Sequence, residues 1–168
     1  MNDHLYWIAL SMIPDVGPVT IRSLISRFGR PKDVFSSDME ELKAVEGVGE
    51  KRARSIKDFS GWNEIEKMLE RLDSEGVRVI LYTDKEYPSL LREIDDAPVI
   101  LYVKGEIKDE DRFSIAIVGS RNATSYGRFV AEKIAGELAE SGFTIVSGMA
   151  RGVDTIAHSS SLRAGGRT

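Results

Sequence analysis

Through the first 75 residues apolar side chains recur every three to four positions; beyond them they fall in short, β-branched runs. In 4–13, Leu5, Ile8, Ala9 and Met12 share one helical face, and in 19–28 Ile21, Leu24, Ile25 and Phe28 do the same. Asp38 with Glu41 three positions on is an acidic capping box, which predicts a third helix running to about Val45. After Gly47-Val-Gly49 the spacing predicts helices over 50–59 and 62–74. The second of these turns Ile65, Met68, Leu69 and Leu72 inward and stops at Gly76. Residues 1–75 are therefore expected to form an all-helical domain.

Past Gly76 the period changes. Val77-Arg-Val-Ile-Leu-Tyr82 and Val99-Ile-Leu-Tyr-Val103 read as strands on either side of a short helical piece at 88–94. Strand 113–118, helix 125–141, strand 143–147 and helix 153–164 follow. This alternation predicts a Rossmann-like wound α/β domain over 76–168 with a mostly parallel sheet, in which the strands at 113–118 and 143–147 are adjacent. The sequence stops at Gly165-Gly-Arg-Thr168, where another βα unit is expected. The sheet thus reads as truncated, its edge expected to pair with a neighbour or to belong to a longer polypeptide.

Both late strands end at a glycine that opens a helix: Ile115-Ala-Ile-Val-Gly-Ser-Arg121 and Ile145-Val-Ser-Gly-Met-Ala-Arg-Gly-Val-Asp154. Such a turn aims unpaired backbone N–H groups and the positive end of a helix dipole at one point. Two of them at the same carboxyl edge make that edge the expected place for anions. Neither turn is a dinucleotide fingerprint, since the second and third glycines of G-x-G-x-x-G are absent, and neither carries the Gly-Lys-Thr of a P-loop. The first has Arg121 instead, a planar fork that takes a phosphate bidentately or, on the blander reading, pairs with a surface acid. Thr124 or Ser125 caps the next helix, and Tyr126 either stacks on a base or packs on the sheet.

Charge sharpens this picture. The whole chain carries −4, yet 111–168 has seven basic and five acidic residues, a net +2 against −6 for the remainder. The anion-binding half is the basic half. The absence of cysteine excludes disulfides and thiolate metal sites, and two histidines leave little for metal chemistry. Asp154 and His158, four apart on one helix face, suggest either an acid–base or metal pair, or a capping aspartate bonded to a neighbouring histidine. No apolar run approaches the roughly 18 residues needed to span a bilayer, and no basic-then-apolar leader opens the sequence, so the expected location is cytoplasmic.

In the helical half, Leu42-Lys-Ala-Val-Glu-Gly-Val-Gly-Glu-Lys-Arg-Ala-Arg-Ser-Ile56 fits a helix–hairpin–helix pattern. Gly47 and Gly49 permit a tight turn beside Lys51, Arg52 and Arg54, where a phosphate can sit without base readout. Pro14-Asp-Val-Gly-Pro-Val-Thr-Ile-Arg-Ser-Leu24 is a degraded second copy with Asp15 in the turn, expected to be structural because an acid repels phosphate.

The two glycine turns, with Thr124-Ser-Tyr-Gly127, Ser147-Gly-Met-Ala-Arg-Gly-Val-Asp-Thr-Ile-Ala-His158, Tyr87-Pro-Ser-Leu-Leu91 and Asp96-Ala-Pro-Val-Ile-Leu-Tyr102, resemble the DNA-processing protein A family (DprA, also called Smf). The resemblance covers the whole chain, because family members carry a helical, sterile-alpha-motif-like or hairpin domain before the Rossmann-like one. It implies a non-enzymatic, single-stranded DNA-binding recombination mediator that loads the RecA recombinase during natural transformation and is a homodimer at full length, with no cofactor and no metal. Carried over by position, the phosphate-binding residues are Gly119, Ser120, Arg121, Asn122, Ser147, Gly148, Arg151 and Gly152, with secondary DNA contacts at Gly47, Gly49, Lys51 and Arg128. The chain departs mildly from the family pattern: Met149 and Val153 stand for the commoner leucine and isoleucine, and Ala97 for a proline. The rival class is an enzyme or sensor acting on a free nucleotide, of the Rossmann-like nucleoside phosphate hydrolase type. It would want a catalytic Glu in a further Pro-Gly-Gly-x-Gly-Thr turn, which 1–168 does not contain.

Overall fold

The computed structural model describes residues 3–168, which form two compact units, one up to Glu106 and the other Ile107–Thr168. In the first unit, helices α1 (Asp3–Met12), α2 (Pro18–Phe28), α3 (Pro31–Ser36), α4 (Met39–Lys43), α5 (Glu50–Lys57) and α6 (Trp62–Ser74) follow one another through short turns. Their apolar stripes meet in a core that includes Leu10, Ile21, Leu24, Val34, Leu42 and Ile56, each at most 1% exposed. Each fully buried side chain of that size contributes about 1.5–3 kcal/mol of transfer free energy. Asp38 and Glu41 form the expected reciprocal capping box at α4. Gly76 ends α6 with φ +66, a conformation open to glycine without Cβ strain. Helix α3 has no counterpart in the sequence reading: six residues entered through Pro31 are too few to show an apolar period.

Strands β1 (Val77–Leu81) and β2 (Ile100–Lys104), joined through the single-turn helix α7 (Ser89–Arg92), belong by packing to the first unit. Leu81 and Val99 lie in the same buried cluster as the α2, α4 and α5 side chains. The pair is antiparallel, Val77 opposite Lys104 and Leu81 opposite Ile100, so the strands beyond Gly76 are mixed, one antiparallel pair and one parallel pair. A parallel return needs a crossover that carries the chain back along the sheet, usually a full helix. α7 is one turn long.

In the second unit, β3 (Ser114–Ala116) leads into α8 (Ser125–Glu140), and β4 (Thr144–Val146) leads into α9 (Val153–Arg163). β3 and β4 are parallel and in register, Ile115 opposite Ile145, as the alternating pattern predicts. Small residues set the packing: Ala135, Ala139 and Ala157 are buried with Ile145, and α8 lies against α9. The outer edge of β4 is not bare. Ile145 N–H donates to the Arg167 carbonyl at 2.9 Å, and Thr168 Oγ1 donates to the Ile145 carbonyl at 2.6 Å.

Candidate nucleic-acid interface

The first glycine turn leaves β3 where Ile117 N–H reaches the Val146 carbonyl at 2.9 Å. The second leaves β4 and is tied to the first by Ser147, whose Oγ donates to the Ile117 carbonyl at 2.6 Å. Further on, Val153 N–H donates to the Ser120 carbonyl at 3.2 Å. Both turns thus stand at the carboxyl edge of one parallel pair and touch each other.

Two glycines make that contact possible. A Cβ on Gly119 would lie 2.8 Å from Val153 Cγ2. A Cβ on Gly152 would drive into the carbonyls of Ser120 and Arg121, and its φ of +88 disfavours any side chain. Gly152 also immediately follows Arg151, so the closeness of the turns brings Arg151 and Arg121 to the same edge.

Thr124 is the residue that caps α8, accepting from Gly127 N–H at 3.1 Å, and Ser120 Oγ accepts from Asn122 N–H at 3.1 Å. Asn122 therefore spends its backbone donor inside the turn. The backbone N–H groups of Gly119, Ser120 and Arg121 have no acceptor among the described residues. The guanidinium groups of Arg121 and Arg151 are exposed and have no hydrogen-bond or ion-pair partner among the described residues. Arg128 Nε donates to the Ala123 carbonyl at 3.2 Å, which holds a third cation beside the first turn with no carboxylate on it. Elsewhere in the unit Arg163 pairs with Glu132 at 2.6 Å, Lys133 with Glu137 at 3.8 Å and Arg167 with Asp111 at 2.5 Å, while Arg112 lies over the Phe113 ring. Tyr126 is 77% exposed, so its ring does not pack on the sheet.

The second turn is different inside. Gly148 N–H, expected to face a phosphate, donates to Oδ2 of Asp154 at 3.1 Å, and Ala150 N–H approaches the same oxygen at 3.4 Å. Asp154 is only 6% exposed. It does not bond to His158, whose Nδ1 pairs with Thr168 Oγ1 at 2.5 Å, so the capping-pair reading holds for neither partner as drawn from the sequence. Among the described residues there is no group of three or more His, Cys, Asp or Glu side chains able to hold a metal.

At the hairpin turn the cationic side chains already have partners. Gly47 adopts φ +81 and Gly49 caps α5. Lys51 Nζ meets Asp15 Oδ2 at 2.6 Å, Arg52 donates to the Gly47 carbonyl, and Arg54 lies 3.5 Å from Glu50. The acid of the degraded copy thus sits on the lysine of the intact one. Lys51 holds the Asp15 carboxyl below its usual range through this hydrogen bond and charge.

No helix among the described residues is long and apolar enough to cross a membrane. Compared with known proteins, residues 78–168 match the family described as DNA recombination-mediator protein A, and residues 8–60 match the SAM-like helix-hairpin-helix tandem. Protein Smf of Synechocystis sp. is 35% identical over 99% of this chain and 43% of its own length. DNA processing protein DprA of Bacillus subtilis is 37% identical over 63% of this chain and 38% of its own. The solved structure of DNA processing protein A from Streptococcus pneumoniae superposes with a TM-score of 0.66 at 27% identity, covering 99% of this chain and 55% of that one. The chain thus spans less than half the length of the two curated relatives. With a match to the family over more than half of its residues, a range that includes both glycine turns, the chain belongs to the DNA recombination-mediator protein A family.

Proposed function

We propose that the chain binds single-stranded DNA by its phosphates at the first glycine turn and acts, without catalysing a reaction, as a recombination mediator. The observation that supports this most is that, among the described residues, the N–H groups of Gly119, Ser120 and Arg121 and the guanidinium groups of Arg121 and Arg151, all on the two adjoining turns, have no partner. Backbone amides and arginine forks recognise phosphate oxygens, which every nucleotide has, so the binding is sequence-tolerant and weakens with salt. Ser147 and Gly152 act by bracing the turn, and the exposed Tyr126 ring offers a surface for base stacking. The hairpin residues Gly47, Gly49 and Lys51 contribute little to this, because Lys51 is already paired. Loading of RecA, a role in natural transformation, self-association of the full-length protein and a cytoplasmic location follow from the family and belong to the same proposal.

The test is a titration of a labelled oligothymidylate at several salt concentrations, with duplex and mononucleotide competitors. Tight, salt-dependent binding that mononucleotide does not displace is the expected result. Equal competition by mononucleotide sinks this reading in favour of a nucleotide-binding enzyme or sensor. Stimulated RecA filament assembly on DNA coated with single-strand-binding protein checks the mediator role.

A further inference from the structure

The second glycine turn has the outline of an anion site but already contains an anion. The Asp154 carboxylate, at the second residue of α9, is folded back over the 147–151 loop and receives the N–H groups of Gly148 and Ala150 on one oxygen. It lies so close that a Cβ on Gly148 would sit 2.8 Å from that oxygen, so residue 148 is glycine to admit the carboxylate. A negative group at a helix N-terminus is stabilised by the helix dipole and by the unpaired amides there, as a bound phosphate would be. Burial strengthens the effect, because at 6% exposure little water screens the charge. A nucleic-acid phosphate brought to Gly148 would meet a fixed like charge at hydrogen-bond range and find the amides occupied.

We propose that Asp154 stands in permanently for a phosphate at the second turn, confining DNA phosphate to the first turn and to the arginines that flank it. The inference rests on the reading of this edge as phosphate-binding, and it makes the two turns unequal: one open, one self-filled. Asp154 is then a specificity-determining residue that touches no ligand.

The experiment uses amide NMR on the wild-type chain and on Asp154→Ser and Asp154→Asn, titrated first with inorganic phosphate and then with an oligothymidylate. In the wild type the amides of Gly119, Ser120 and Arg121 shift with phosphate while those of Gly148 and Ala150 stay still. In Asp154→Ser, where the side chain is shorter and neutral, Gly148 and Ala150 also shift and a second phosphate equivalent binds. Asp154→Asn keeps the shape without the charge, and its oligothymidylate affinity rises about 3- to 10-fold at low salt, the gain fading as salt screens the charge. Wild-type shifts at Gly148 and Ala150 that track those at Gly119 overturn the proposal. So does a folded Asp154→Asn variant whose affinity and salt dependence match the wild type. Phosphate shifts confined to the first turn, without any oligothymidylate binding, would refute the single-strand reading and leave the self-filled turn standing.

Discussion

Arg167 grips the carboxylate of Asp111 with both arms of its guanidinium, Nε to Oδ1 at 2.5 Å and Nη2 to Oδ2 at 2.7 Å. The same carboxylate accepts from Thr144 Oγ1 at 3.0 Å and from Lys108 N–H at 2.8 Å. One side chain thereby joins the entry to β3, the start of β4 and the segment running along the outer edge of β4. The glycine turns sit at the opposite, carboxyl end of those strands, so their spacing depends on this anchor holding the strands in register.

Acid should expose the anchor. The Arg167 guanidinium holds the Asp111 carboxyl well below the usual carboxylate range. A depressed folded-state value means that the stabilisation is fully present above about pH 4, the unfolded value, and fades as pH falls below it. Asp111→Asn should lose roughly 1.5–3 kcal/mol at pH 7, the scale for hydrogen bonds to charged groups. Urea denaturation from pH 7 to pH 2 checks this: the gap between the two stability curves should narrow below about pH 4, and parallel curves would contradict the assignment.

Arg121→Ala should weaken oligothymidylate binding by about 1.5–3 kcal/mol, the loss of a charge-assisted bond to phosphate. The melting temperature should stay put, since the guanidinium has no partner among the described residues. Normal binding at fixed low salt would remove Arg121 from the site.

The two close glycines should respond differently to a methyl group. Gly152→Ala forces a Cβ into backbone carbonyls at φ +88 and should destabilise the chain by about 2–3 kcal/mol with no side-chain remedy. Gly119→Ala collides only with the Val153 side chain, so its smaller destabilisation should be relieved in the Gly119→Ala, Val153→Ala double variant. Chemical denaturation of the three variants decides, and additive losses in the double variant would count against the close-approach account.

At the hairpin, Lys51→Ala should change neither oligothymidylate affinity nor the melting temperature measurably, because an exposed lysine already paired with Asp15 has little to offer a phosphate. A clear loss of affinity in the same titration would place the hairpin in the DNA path.

Local signals in the chain alone were enough to place most of the helices, the Asp38–Glu41 box, the stop at Gly76 and the parallel β3–β4 pair with its two glycine turns. These features are governed by interactions within a few residues, or by a pattern that repeats over one βα unit, so periodicity and capping residues reveal them. What tertiary structure decided lies between residues far apart in sequence. The packing of Leu81 and Val99 into the core of the helices set β1 and β2 in the first unit, and the neutralisation of Lys51 came from Asp15, 36 positions away. Gly148 and Asp154 are closer, six positions apart, yet the outcome there also needed three dimensions. The same aspartate could have faced solvent, capped its own helix or bonded His158, and only the packing of the 147–151 loop against α9 selects among them. Residue type states what a side chain is able to bind; the fold determines what is within its reach.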